Sequence, residues 1–521
     1  MMPIHPIPIG NGARPEDFHV LFLYPNVQMC ALIPTGVALL SAVLKREGFT
    51  VDLFDCTFYK DPMTANYPFY HSALRPIRED EESAKMRFIE SDMQSDFQKK
   101  VESFKPDLIA VSVVENTYCI GLRMIKALPR RPRVVFGGVF ATYGAEKIIR
   151  EESVDYVCRG EGEEALLELC WRLCRGLPVK DVQNLWIKED RQIYQNMMRP
   201  ALDINTLPYP DFDLFEPQSI YRPMQGKIWR TIGMETQRGC PYTCAYCNSP
   251  SNNEIYTAEK SGRFYRKKTM QRTHAELKYL VGKYRPELIY FVVDTFLAMG
   301  DGEFLELANM YLDFKVPFWM NTRCETINEM RAEWLEKMNC LRMSMGIEHG
   351  NPVYREKVLK RKLTNERMLE AFRMVAGRKY TANGNSIVGM PQENRELIFD
   401  TIEFNRQLPK EIECSGAFIF APYHGTPLRE LAIREGYLDP ESICSLDNPD
   451  ASMLNMPQMA REEIVGLART FNFYVTFPKE EWPEIREAEN ITPEGENLFR
   501  ALQNRFITEQ YGPVEPDPIN A

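Results

Sequence analysis

The chain of 521 residues predicts an α/β protein. Its first half reads as an open, doubly wound parallel sheet, its second as a partial (β/α)6 barrel related to the eight-fold one, and its end as a helical tail. Three observations carry this. Short apolar runs rich in β-branched residues recur between stretches of helical period, which is the pattern of parallel sheets wrapped by helices. The alternation is interrupted by Pro208-Tyr209-Pro210-Asp211 and restarts near residue 230. The second series has six strand–helix units, too few to close an eight-stranded barrel.

In the first half, strands are expected at 19–24, 51–54, 108–113, 134–136 and 156–158. Helices are expected at 35–47, where Gly48 ends the helix, and at 163–174. Between residues 56 and 78 lies an insertion with Phe58, Tyr59, Tyr67, Phe69 and Tyr70 among prolines. Packing of the loop by its own aromatic rings is favoured there over a lid. Residues 185–187 and 193–194 flank a charged turn and read as a hairpin. The barrel strands are expected at 231–235, 288–293, 318–321, 343–347, 386–388 and 417–420, with helices such as 273–283 and 303–312 between them. This gives four parts: 1–175, a hairpin and linker over 176–229, a barrel over 230–430, and a helical region over 431–521. No internal repeat or low-complexity stretch interrupts them.

Composition narrows the function. Hydrophobic residues make up 44% and charged residues 26%, an ordinary balance for a folded, water-soluble chain. A net charge of −10 argues against an electrostatic hold on nucleic acid. The most apolar stretch, 20–43, is broken by Pro25, Asn26, Gln28 and Pro34, so no membrane span is expected. Residues 1–14 have no apolar core of the secretory type. A cytoplasmic protein with reduced cysteines is the expectation.

Three of the thirteen cysteines stand apart: Cys240, Cys244 and Cys247, spaced C-x3-C-x2-C in the loop after the first barrel strand, with Tyr246 before the last. Three thiolates on one loop can hold three corners of a cubic [4Fe–4S] cluster and leave the fourth iron open to a small molecule. The alternative is a zinc site. Zinc calls for a fourth Cys or His at short spacing, and none lies within twenty residues after Cys247. The other ten cysteines read as small buried hydrophobes.

These cysteines, with the aromatic residue before the third and a partial barrel behind them, resemble the radical S-adenosylmethionine (SAM) enzymes. Further segments match in order. Asp294, in Phe291-Val292-Val293-Asp294-Thr295-Phe296, falls where the family places a group near the SAM amine. Arg323, in Asn321-Thr322-Arg323, matches an arginine near the SAM carboxylate or ribose. Glu348, in Gly346-Ile347-Glu348-His349-Gly350, matches a segment near SAM in which His349 replaces serine. Ile387, in the run from Ile387 to Glu393, matches the strand that packs on adenine. Pro422-Tyr423-His424-Gly425-Thr426-Pro427 resembles a last-strand motif in which His424 replaces proline. The resemblance implies that Cys240, Cys244 and Cys247 bind the cluster and that Tyr246, Asp294, Arg323, Glu348 and Ile387 contact SAM. It leaves Tyr423 and His424 as substrate-side candidates. Histidine is the side chain most often used to move protons near neutral pH, and ordinary hydrogen bonding is the simpler role for each.

The first half is similar to the Rossmann-like cobalamin (B12)-binding domain that precedes the barrel in one subfamily. The matches are Leu23-Tyr24-Pro25, Gly36 to Gly48, 52–55, Pro106-Asp107, Ser112, Gly137-Gly138, and Asp155-Tyr156 through Gly160-Glu161-Gly162-Glu163. Ser112, Gly137 and Gly138 would line the nucleotide tail of cobalamin, where paired glycines allow close backbone approach. The Asp-x-His-x-x-Gly segment is absent, so the loop after the first strand offers no histidine to cobalt. Gly160-Glu161-Gly162-Glu163 reads as a tight turn and an acidic helix start.

The resemblance implies a cobalamin-dependent radical SAM enzyme, most simply a C-methyltransferase. A 5′-deoxyadenosyl radical would remove hydrogen from an unactivated carbon, which would then take a methyl group from methylcobalamin. Rearrangement or cyclisation without methyl transfer is an alternative, and a non-catalytic iron–sulfur redox protein is another. The implied partners are a small-molecule or lipid-like substrate and a low-potential electron donor such as flavodoxin or ferredoxin.

Overall fold

The computed structural model describes residues 14–26, 32–60, 87–189, 192–224, 227–445 and 451–512. Tyr67, Phe69 and Tyr70 of the aromatic insertion, and most of residues 1–14, lie outside the described residues. The first sheet holds β1 (His19–Tyr24), β2 (Thr50–Asp55), β3 (Leu108–Ser112), β4 (Arg133–Gly137), β5 (Tyr156–Cys158), β6 (Leu185–Glu189) and β7 (Gln192–Gln195). Their order is β2-β1-β3-β4-β5-β6-β7. The first five run parallel, and the hairpin β6–β7 adds to the edge antiparallel. Near-continuous apolar strands suit a sheet covered on both faces, and Val20, Leu21, Phe22 and Leu23 are all buried.

The second sheet holds β8 (Tyr221–Met224), β9 (Lys227–Met234), β12 (Leu288–Phe291), β13 (Phe318–Arg323), β14 (Cys340–Glu348), β15 (Thr381–Val388) and β16 (Glu413–Ile419), while the short strands β10 (Gln237–Arg238) and β11 (Arg266–Lys267) pair separately. Its order is β16-β15-β14-β13-β12-β9-β8, and β9 with β12 to β16 forms six parallel strands. This is the expected half-barrel. Helices Arg461–Thr476, Trp482–Glu487 and Pro493–Tyr511 make up the helical end. The first of them packs against β16, burying Ile464, Leu467 and Phe471.

The linker is built into the body of the protein. Ile204, Leu207, Phe212 and Phe215 are buried in one apolar cluster that joins Leu39 and Leu169 of the first half to Leu280 and Ile289 of the second. Ser41 Oγ and Lys45 Nζ both reach Asp211 Oδ2, at 2.6 and 2.7 Å. Phe58 and Tyr59 are buried, and Tyr59 stacks on Phe54 with ring centroids 5.5 Å apart. This part of the insertion packs on the sheet.

Candidate functional site

Parallel sheets gather functional groups at the carboxyl ends of their strands, and the cysteine loop leaves β9 and β10 at that end. Gly239 opens it at φ +83°, where a Cβ would strike the ring of Phe264. Each sulfur meets a polar group. Cys240 Sγ lies 3.5 Å from Thr295 Oγ1, Arg323 Nη1 donates to Cys244 Sγ at 2.7 Å, and the Ser249 backbone N–H donates to Cys247 Sγ at 3.4 Å. Hydrogen bonds to cluster-bound sulfur are a standard means of tuning such a centre. Burial raises the thiols of Cys240 and Cys247, the latter to about 11, so a metal must displace their protons when it binds. Among the described residues no three His, Cys, Asp or Glu side chains converge as they would around a single ion, whereas a cubane spreads its ligands over three separate irons.

Around this loop the barrel strands present their carboxyl-end residues. Arg323 stacks on Tyr242, with its guanidinium 3.9 Å from the ring centre, and pairs with Glu325. Tyr246 donates its hydroxyl to Glu348 Oε1 at 3.0 Å. Arg361 is almost wholly buried and reaches Glu348 at 3.2 Å and Glu325 at 3.4 Å. Glu348 sits at φ +64° and its carboxyl folds back over Gly346, where any Cβ would overlap it. Burial raises the Glu348 carboxyl, against the pull of Arg361. Asp294 is solvent-accessible yet enclosed by protein. That enclosure raises its carboxyl, while a 3.3 Å hydrogen bond from Ser249 Oγ opposes the shift. Ile387 is half-buried and pairs in register with Phe418, which is exposed. A ring of two acids, an arginine and an apolar patch beside three thiols suits a ligand that has an amine, a carboxylate and an aromatic base. A cavity of about 380 Å³ is lined by Tyr242 and Glu325 among others, and none of the predicted residues lines it.

At the carboxyl edge of the first sheet, Ser112 pairs with Gly137 in register. Gly138 has φ +96°, and a Cβ there would overlap the Val113 carbonyl oxygen; a Cβ on Gly137 would meet nothing nearer than 3.8 Å. Beside them Val114 and Val139 are 48% and 49% exposed. Two neighbouring strand ends that each leave a valine uncovered, next to a glycine at 137 with room for an added group, fit the expected cobalamin tail. Val114 belongs to the segment Ser112-Val113-Val114 that the resemblance marks for cobalamin, whereas Val139, directly after the predicted glycine pair, was missed by sequence reading. We expect Gly138→Ala to lower thermal stability by ~1–3 kcal/mol, through backbone strain and overlap. Gly137→Ala should leave the melting temperature nearly unchanged and weaken cobalamin binding, as read by absorbance titration.

The remaining predicted residues lie where the two halves meet. Glu115 Oε2 accepts the His424 backbone N–H at 2.8 Å, and Glu115 Oε1 accepts from the His424 ring at 2.8 Å and from the Cys444 N–H at 2.9 Å. Burial opposes ionisation of Glu115, but these donors outweigh it and hold the carboxyl below its ordinary value. Tyr423 faces the neighbouring Asn116, and burial raises its hydroxyl to about 12. Tyr423 and His424, expected toward the substrate, therefore meet the first half of the chain. His349 is wholly buried. Its Nδ1 accepts from the Asn351 N–H at 2.9 Å, its Nε2 lies 3.1 Å from Glu393, and its ring stacks on Tyr354. Hydrogen bonding accounts for Nδ1 alone, since Nε2 and Glu393 Oε1 approach one another without forming a hydrogen bond. The Gly160–Glu163 run forms the expected turn, with Gly160 at φ +68°, and the helix Glu163–Cys174 follows. It does more than that. Glu161 and Glu163 both pair with Arg238, at 2.6 and 2.9 Å, and Glu161 also pairs with Arg266.

Comparison with known proteins agrees with this layout. The radical SAM superfamily model matches residues 234–404, and the B12 binding domain model matches residues 77–170. The chain is 28% identical over 351 residues to an uncharacterized methyltransferase of Pyrococcus horikoshii, covering 66% of this chain and 73% of that one. It is 22% identical to the cytidylyl-2-hydroxyethylphosphonate methyltransferase of Streptomyces wedmorensis, over 84% of this chain and 85% of that one. Its fold superposes on the radical SAM methyltransferase TsrM of Kitasatospora setae, solved with cobalamin and a [4Fe–4S] cluster, with a TM-score of 0.58 and 15% identity over 94% of this chain and 99% of that one. With a glycine-paired sheet edge in the first half, a cysteine loop at the mouth of a half-barrel in the second, and the two family models matched in that chain order, the chain contains a B12-binding domain followed by a radical SAM domain.

Proposed function

We propose that this protein is a cobalamin-dependent C-methyltransferase acting on an unactivated carbon of a small molecule. One observation carries the reading. The short helix Val139–Tyr143 starts directly after Gly137-Gly138, and the Tyr143 hydroxyl donates to the carbonyl of Asn248, the residue after Cys247, at 2.9 Å. The sheet edge fitted to cobalamin and the loop fitted to the cluster are thus joined across five residues.

When bound, the cluster and SAM would supply the hydrogen-abstracting radical and cobalamin the methyl group. The chain's part is to bind and orient. Cys240, Cys244 and Cys247 would hold the cluster, and Arg323, Thr295 and the Ser249 N–H would steady their sulfurs. Asp294, Glu348 and Ile387 would hold SAM, with Tyr246 and Arg361 fixing the Glu348 carboxyl in place. Ser112, Gly137 and Gly138 would receive the cobalamin tail. Packing of the two halves around a bound substrate would keep water from the reacting carbon. No described helix is long and apolar enough to cross a membrane. A cytoplasmic location and a flavodoxin- or ferredoxin-type electron donor complete the proposal.

The test is anaerobic incubation of the reconstituted protein with methyl-labelled SAM, a reductant and cell extract, followed by mass spectrometry. Methyl transfer gives S-adenosylhomocysteine and 5′-deoxyadenosine together, with label in a product. Deoxyadenosine without the homocysteine product would replace this reading with rearrangement or cyclisation.

A further inference from the structure

We propose that Tyr143 and Glu115 are positioning residues, two ends of a clamp by which the B12-binding half sets the cysteine loop and the last barrel loop against the cobalamin edge. The proposal rests on the function above and extends it to residues outside the binding sets.

Both contacts are short levers. Glu115 lies three residues beyond Ser112 and opens the helix Glu115–Lys126. Tyr143 lies five residues beyond Gly138 and closes the helix Val139–Tyr143. Neither lever contains a flexible stretch, so a shift at its far end moves the strand end at its near end. Glu115 is only 4% exposed, and its three protein donors come from the last barrel loop and from Cys444. The His424 ring stands edge-on to Phe140, with centroids 5.2 Å apart, so the same loop also packs on the second lever.

Tyr143 serves two loops at once. Its hydroxyl holds the Asn248 carbonyl, and its ring lies flat against Gly425, where φ is +80° and a Cβ would overlap the ring. Glycine at 425 is therefore required twice, by its backbone angle and by the tyrosine above it. The last barrel loop is gripped from one side by Glu115 on His424 and from the other by Tyr143 on Gly425. The cysteine loop is gripped by the same tyrosine. A contact serving only to bury surface would need neither the buried carboxylate nor the hydroxyl.

Tyr143→Phe removes the hydroxyl and keeps the ring, and Glu115→Gln keeps the shape and loses the charge. Two readouts test the clamp. The first is hydrogen–deuterium exchange of the cofactor-free protein. Tyr143→Phe should speed exchange at residues 245–250, and Glu115→Gln at residues 422–427 and 443–445, while β1 and β14 keep wild-type protection. The second uses protein loaded with cluster and cobalamin and given SAM and a reductant. Iron and cobalamin content should stay at wild-type levels, while the ratio of S-adenosylhomocysteine to deoxyadenosine falls ~10-fold or more, since a misplacement of about 1 Å can cost ~100-fold in rate. Unchanged exchange at these loops in both variants, or faster exchange spread over both sheets, overturns the clamp. If the wild-type protein forms no S-adenosylhomocysteine, the methyl-transfer reading fails while the exchange result still decides the clamp.

Discussion

Arg361→Met is expected to destabilise the protein by ~3 kcal/mol or more and to cost it SAM binding. Arg361 is about 1% exposed and is the cation shared by Glu348 and Glu325. Methionine fills much of the same space, so packing loss is small and the effect is electrostatic. Breaking a buried ion pair by removing one partner costs ~3–5 kcal/mol, because the remaining charge is left uncompensated. Glu325 keeps Arg323 as a partner and both glutamates keep some exposure, which places the expectation at the lower end. Burial already raises Glu348; without Arg361 its carboxyl would take up a proton nearer neutral pH and release its hold on a cationic amine. Chemical denaturation read by circular dichroism gives the stability, and calorimetric titration with SAM gives the affinity. Stability unchanged within ~0.5 kcal/mol would show that Glu348 and Glu325 are compensated by other groups.

Single replacement of Cys240, Cys244 or Cys247 by alanine is expected to abolish deoxyadenosine formation while leaving the fold intact. Each cysteine sits in a loop whose shape is held by other contacts: the Ala245 N–H on the Leu359 carbonyl, the Leu428 N–H on the Ala245 carbonyl, and the turn at Gly239. Losing a thiol removes one of three ligands and leaves those contacts in place. Iron and acid-labile sulfide should fall toward background after anaerobic reconstitution, and the melting temperature of the metal-free protein should change little. A variant that keeps a full cluster and still cleaves SAM would reassign that cysteine.

What could be read from the sequence was what is written locally. Runs such as His19–Tyr24 and Leu108–Ser112 carry their strand identity in their own composition, and C-x3-C-x2-C carries its chemistry in its spacing. Arg361 was hidden for the opposite reason. It sits in Lys360-Arg361-Lys362, which reads as a solvated basic run, and Lys362 does stay 87% exposed while the Arg361 side chain is 0% exposed. Only the return of the chain between β14 and β15 turns it inward. Glu115, Tyr143 and Glu161 were missed because their partners are remote. No local period shows that an acid opening one helix will meet a backbone N–H 309 residues later. Glu161 was half legible, since its glycines predict the turn but not the arginines across the junction.

That separation of 309 residues has a consequence during synthesis. At ~5–20 residues per second the ribosome needs about 15–60 s to deliver His424 after Glu115 has emerged. The first sheet can form in that interval, and Tyr143 meets Asn248 early, but Glu115 stays without its donors until the chain has passed the last barrel strand. The nascent chain therefore passes through a long-lived half-built stage, and its yield should depend on chaperones that shield the flank around Glu115.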